Sequence, residues 1–83
     1  MNTITAEILC PSTARSYDYR LPLNMKAAKV IRLLKEDICT FEGIPDLFEQ
    51  YEDMHIYCER GCIADEATIE EAGVKSGDRL MLI

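Results

Sequence analysis

The sequence predicts an α+β domain in which one long α-helix packs across a mixed four- to five-stranded sheet. Three observations carry this expectation. Residues 3–10 and 16–21 alternate apolar and polar side chains, the period of half-buried strands. From 25 to about 41 the period becomes helical. The last stretch, Thr68 to Ile83, reads as a helical turn, a tight turn and a final strand. Laying one amphipathic helix on one sheet is an economical way to bury both apolar faces. A chain of 83 residues buries roughly 60–65% of its unfolded surface, which suits one core and a single domain spanning 1–83.

The elements follow in order. Ile4, Ala6, Ile8 and Cys10 alternate with Thr3, Thr5, Glu7 and Leu9 in the first strand. Pro11-Ser12-Thr13 turns the chain. Tyr17, Tyr19 and Leu21 alternate with Ser16, Asp18 and Arg20, completing an N-terminal hairpin that Pro22 ends. Asn24 is the expected N-cap of the helix. The helical stripe is Ala27, Ile31, Leu34, Ile38 and Phe41, widened by Val30, with Lys26, Lys29, Arg32, Lys35 and Glu36 on the other faces. Gly43 stops the helix and Pro45 forbids its return. Asp46 is positioned to cap a short turn through Leu47, Phe48 and Glu49. Met54 to Cys58 reads as the third strand, Glu59-Arg60-Gly61 as a turn, and Cys62-Ile63-Ala64 as a brief fourth strand. Thr68 and Glu71 have the spacing of a capping box over a helical turn at 69–72, and Gly73 suits the left-handed residue that closes it. Val74 returns to the core. Gly77-Asp78 makes a tight turn before the alternating strand Arg79 to Ile83.

Composition excludes several classes. No apolar run approaches the roughly 20 residues of a membrane span, so no direct membrane insertion is expected. The N-terminus lacks the basic and apolar regions of a signal peptide, which makes a cytoplasmic setting the expectation. The net charge is −6 and uneven. Between 15 and 35, six basic residues face Asp18 alone; between 42 and 71, ten acids face Arg60 alone. An acidic chain of this kind is a poor binder of phosphate backbones, so no nucleic acid is expected, whereas a protein partner with a basic face is. Both charge sets read equally well as solvated surface.

The order of these elements resembles the ubiquitin-like β-grasp fold over the whole chain. Glu42-Gly43-Ile44-Pro45 resembles the segment that closes the helix in ubiquitin, and Asp65 to Val74 resembles its loop into the helical turn. Gly77-Asp78-Arg79-Leu80-Met81-Leu82-Ile83 resembles the ending of the YukD/EsaB type of small bacterial ubiquitin-like proteins. The resemblance implies first and last strands lying parallel at the sheet centre. It also implies a non-enzymatic, non-conjugating interaction module, since no terminal glycine pair follows the last strand. The setting it implies is a bacterial type VII (WXG100) secretion system, where an accessory protein would contact a membrane component or an ATPase. Two departures stand out: Cys10, Cys39, Cys58 and Cys62 belong to no pattern of that family, and the segment around Leu47 to Asp53 is longer than in ubiquitin.

Laid on the ubiquitin frame, Ile56, Leu80 and Leu82 point inward. Tyr57, Met81 and Ile83 point outward, on the usual recognition face of such modules. The opposite register, with His55 and Tyr57 in the core and Ile56 in solvent, differs by one residue and swaps every side chain. A second candidate surface is the basic strip of Arg20, Lys26, Lys29 and Arg32, which would meet an acidic partner or another copy's acidic half, or else is a solvated helix face. The apolar ending Leu80-Met81-Leu82-Ile83 also allows a homo-oligomer.

Catalytic and cofactor chemistry find little support. The cysteines lack the tight spacing that wraps an iron–sulfur cluster. Cys58 and Cys62 flank a turn with His55 nearby, but three ligands need a fourth to close a zinc site. A small redox or zinc protein using Cys58, Cys62 and His55 is the rival reading. His55 is the only histidine, and strand alternation sets it with Asp53 and Tyr57 on the side away from Cys58. The four glycines are isolated turn residues and form no phosphate loop. No cofactor and no metal are expected.

Overall fold

Strand-period alternation becomes a sheet here because the two arms of the hairpin and the final strand find backbone partners. The computed structural model describes residues 2–49 and 53–83. The elements are β1 Thr3–Cys10, β2 Arg15–Pro22, α1 Ala27–Glu42, β3 Ile56–Cys58, β4 Gly61–Cys62 and β5 Arg79–Leu82. Their order across the sheet is β2-β1-β5-β3-β4. β1 runs antiparallel to β2 and parallel to β5, and β5 runs antiparallel to β3. This is the expected α+β arrangement, a mixed five-stranded sheet with one helix across it, and β5 sits at its centre.

One face of the sheet meets the helix. Ala6, Ile8 and Cys10 of β1, Leu21 of β2, Ile56 of β3 and Leu80 and Leu82 of β5 are fully buried with Ala27, Val30, Leu34 and Ile38 of α1. Phe48, Met54, Ile63, Ile69 and Val74 complete the core from the connecting segments. The alternation read from sequence therefore gives the correct inward set in all three principal strands.

Two expectations about the helix need correction. Asn24 does not cap it. Lys26 occupies the N-cap position in extended backbone and makes no side-chain cap. The open amides are met by another segment: Ala27 N–H donates to the Ala67 carbonyl (2.8 Å) and Ala28 N–H to that of Asp65 (3.0 Å). With those donors satisfied, a capping side chain has nothing left to do there. Phe41 is also not core, being 70% exposed. Ile38 is the last buried helix residue, and Phe41 lies beyond it, edge-on to the Tyr17 ring at 5.8 Å between centroids. The helix then ends as expected. Gly43 is left-handed (φ 72°), its N–H donates to Thr40 and that of Ile44 to Cys39, the paired bonds of a Schellman motif.

The short strands differ slightly from expectation. β3 begins at Ile56, yet His55 still exchanges two backbone bonds with Ile83 (2.7 and 3.0 Å). β4 is Gly61–Cys62 because Cys58 pairs with Gly61 and Tyr57 with Cys62. In the 46–49 turn Glu49 N–H donates to the Asp46 carbonyl (3.1 Å), so it is main chain that closes the turn. Residues 50–52 of the longer 47–53 segment lie outside the described residues.

The final segment is closed by reciprocal bonds. Thr68 N–H donates to Glu71 Oε1 (2.8 Å) and Glu71 N–H to Thr68 Oγ1 (3.1 Å), a complete capping box. Ala72 N–H donates to the Thr68 carbonyl (3.0 Å), which makes the single helical turn, and Gly73 follows with φ 76°. Residues 75–78 then form a β-turn. Asp78 N–H donates to the Lys75 carbonyl (3.0 Å), with Gly77 at φ 91° in the third position, as a type II turn requires.

Two outcomes are expected. Ile38→Ala will cost about 2–5 kcal/mol in denaturant unfolding, and Phe41→Ala under about 1 kcal/mol, because only the first leaves a core cavity. The Thr68 backbone amide, and then its hydroxyl, hold the Glu71 carboxyl below the usual glutamate range. A lowered folded value makes its stabilisation complete above the unfolded value of about 4.3 and lost as pH falls through the folded one. Thermal unfolding followed from pH 6 to 2 should show a shallower acid decline in Glu71→Gln than in wild type.

Candidate protein-interaction face

The side of the sheet away from α1 is set by the same alternation. On β5, Leu80 and Leu82 are buried, so Met81 and Ile83 point away from the helix; Ile83 is 52% exposed. On β3, Ile56 is buried and Tyr57 is 39% exposed. The outward placement of Tyr57, Met81 and Ile83 read from sequence is the observed one, and the one-residue slip does not occur.

Register joins these residues into one row. Leu9 of β1 is paired with Met81 of β5, Met81 is paired with Tyr57, and Tyr57 with Cys62. Directly paired residues share a face, so Leu9, Met81, Tyr57 and Cys62 run across four strands on the solvent side. Ile83 lies just past the end of β5, two residues from Met81. Leu9 and Met81 are half-buried. The sequence did not assign Leu9 to this patch, and it raised Cys62 only as a candidate thiol beside Cys58 and His55. Alternation already put Leu9 outward, but its neighbours follow only from the β1–β5 register.

Charge borders the row. Glu7 is paired with Arg79 across β1 and β5, and Arg79 Nε donates to Glu7 Oε1 at 2.6 Å. The hydrogen bond and charge of Arg79 hold the Glu7 carboxyl below its ordinary value. A groove of about 860 Å³ runs beside the row, lined by Leu9, Tyr57, Met81, Arg60, Lys75 and Arg79 among others. The Arg60 guanidinium donates to the Ala72 carbonyl, which fixes one wall. An apolar floor with basic and acidic rims suits a partner that inserts apolar side chains and fixes its orientation through charges.

The basic strip does not form one surface. Arg20 is paired with Thr5 on the sheet face away from α1, whereas Lys29 is an exposed residue of the helix itself. Lys26 is taken up by Glu66 (2.8 Å). That contact raises the Lys26 pKa and lowers that of Glu66. Sequence proximity had grouped residues that lie on opposite layers.

The cysteines and the histidine are not gathered. Cys58 packs against the core, and Cys62 stands opposite Tyr57 on the other face. Cys10 is buried, Cys39 is half-buried, and all four thiols are free. His55 Nδ1 lies 3.6 Å from Asp65 Oδ1, beyond hydrogen-bond range. Among the described residues no group of three or more His, Cys, Asp and Glu side chains could hold a metal ion. No described helix is long and apolar enough to cross a membrane.

No protein-family profile matches the sequence, and no curated protein sequence does. Solved structures do match by fold. The EccD5 ubiquitin-like domain from Mycobacterium xenopi has a TM-score of 0.80 at 16% identity, over 100% of this chain and 94% of that one. Caldiarchaeum subterraneum ubiquitin has a TM-score of 0.69 at 17% identity, over 99% and 92%. Protomer 1 of the ESX-3 core complex has a TM-score of 0.71 at 17% identity, over 99% of this chain and 16% of that larger one. The fold is therefore the ubiquitin-like β-grasp.

Proposed function

We propose that this protein is a non-catalytic interaction module that binds a protein partner through the outer sheet row of Leu9, Met81, Tyr57 and Ile83. The observation that carries this reading is the continuity of the row. Cross-strand pairs bring half-open and exposed apolar side chains together on the solvent face, instead of scattering them. The setting we propose is an accessory part in a bacterial type VII secretion system, with a membrane component or an ATPase as partner. The resemblance of residues 77–83 to the YukD/EsaB ending supports it. So does the likeness to the EccD5 domain and to the ESX-3 core complex protomer. Contact with such a partner would occur in the cytoplasm.

The test is capture from cells that encode the native gene neighbours, read by mass spectrometry. Wild type should retain a type VII membrane component or ATPase. Met81→Ala and Tyr57→Ala should each weaken capture at least tenfold, about 1.4 kcal/mol, as truncated interface anchors do. Both variants should keep the wild-type circular dichroism spectrum, since neither side chain lies in the core. Equal capture by all three chains would exclude this face.

A further inference from the structure

The outer sheet face is not the only unpartnered feature. β2 is an edge strand of eight residues, and its outer side carries open backbone groups. Their phase can be read from the neighbouring ladder. Glu7 N–H donates to the Asp78 carbonyl and Gly77 N–H to that of Thr5, so the odd-numbered residues of β1 bond towards β5. Its even-numbered residues bond towards β2, through their partners Tyr17, Tyr19 and Leu21. The amides and carbonyls of Ser16, Asp18 and Arg20 consequently point off the sheet. Such an edge is a template for another strand.

The side chains beside those groups specify the strand that fits. Asp18 is paired with Glu7 on the outer face, two carboxylates together, and among the described residues Arg79 forms its ion pair with Glu7. Neither Asp18 nor Arg20 makes an ion pair among the described residues. We infer that β2 pairs antiparallel with β2 of a second copy about a two-fold axis at Tyr19. This register sets Asp18 of each chain against Arg20 of the other. Both are outward-bonding residues, so each of the two pairs exchanges two N–H···O bonds. Unlike charges then face each other across both pairs. Moving the axis to Asp18 would instead oppose two aspartates.

The same edge supplies apolar surface and a stop. Phe41, 70% exposed, overhangs β2 beside Tyr17 and lines a groove with Tyr19 and Ile38. Pro22, at the end of β2, has no N–H to extend the ladder. The opposite edge, β4, has only two residues, too short to template a further copy. The assembly therefore closes at two chains and leaves the Leu9–Met81–Tyr57 row open.

Charge exchange tests this inference by sedimentation over roughly 10 μM to 1 mM, where a small interface associates. Wild type should show a concentration-dependent dimer. Asp18→Arg and Arg20→Asp, each alone, oppose like charges and should weaken it at least tenfold. The two single variants mixed should form a heterodimer, and the double variant Asp18→Arg/Arg20→Asp should restore self-association. Both substitutions are on exposed side chains, and unchanged circular dichroism would show that the fold is intact. A wild-type monomer throughout the range would overturn the inference. So would a dimer indifferent to these charges, or one lost equally in the double variant.

Discussion

The turn at 75–78 fixes the alignment of β5 against β1, on which the centre of the sheet depends. Gly77 supplies the positive φ that closes it, and the Asp78 carboxylate accepts the Lys75 N–H (2.9 Å). From that turn Gly77 bonds back to Thr5, and Glu7 to Asp78, which starts β5 against β1 at one alignment. β5 then lies between β1 and β3 with partners on both sides. The cross-strand pairs of Leu9 with Met81 and of Met81 with Tyr57 depend on it. A one-residue slip would put Met81 in the core and Leu80 and Leu82 in water.

The core and the proposed binding face are two consequences of that one alignment. Inward, Ile8 is paired with Leu80 and Leu82 with Ile56, and all four are buried in the same core as Leu34. Outward, the intervening residues Leu9, Met81 and Tyr57 must also lie in line, because pairing on one face implies pairing on the other. An apolar row on the solvent side is not needed for folding, and polar residues would pair there equally well. Its apolar character is thus a property of the surface, and it is the reason we propose this row as the partner-binding one. The two sheet edges differ as well: β2 is long and open, and β4 is minimal. The protein so presents one face and one edge, on separate surfaces, which allows both to be occupied together.

Much of this architecture was legible in the sequence. The hairpin, the helix and the closing strand each carry a period that a local reading recovers, and the capping box and the left-handed glycines announce their turns. The features that were not legible depend on distant segments. Asn24 looked like a cap because nothing local reveals that Ala67 and Asp65 satisfy the first helix amides. Phe41 continued the apolar stripe, yet Ile38 is the last helix residue that the core covers. Leu9 could be placed outward but not beside Met81, since that requires the register of residues 72 positions apart in the chain. Arg20 and Lys29 were grouped by proximity in sequence, although they occupy different layers. Local periodicity fixes which way a side chain points, and only pairing fixes what it points beside.

The measurement that bears most directly on this account is solvent exposure of the methyl groups by NMR with a soluble paramagnetic probe. The account predicts strong relaxation enhancement at the Met81 and Ile83 methyls and partial enhancement at Leu9. Leu80, Leu82 and Ile56 should be shielded. Shielded Met81 with exposed Leu80 and Leu82 would contradict it, because the register set at Gly77, and with it both the core and the outer row, would be wrong.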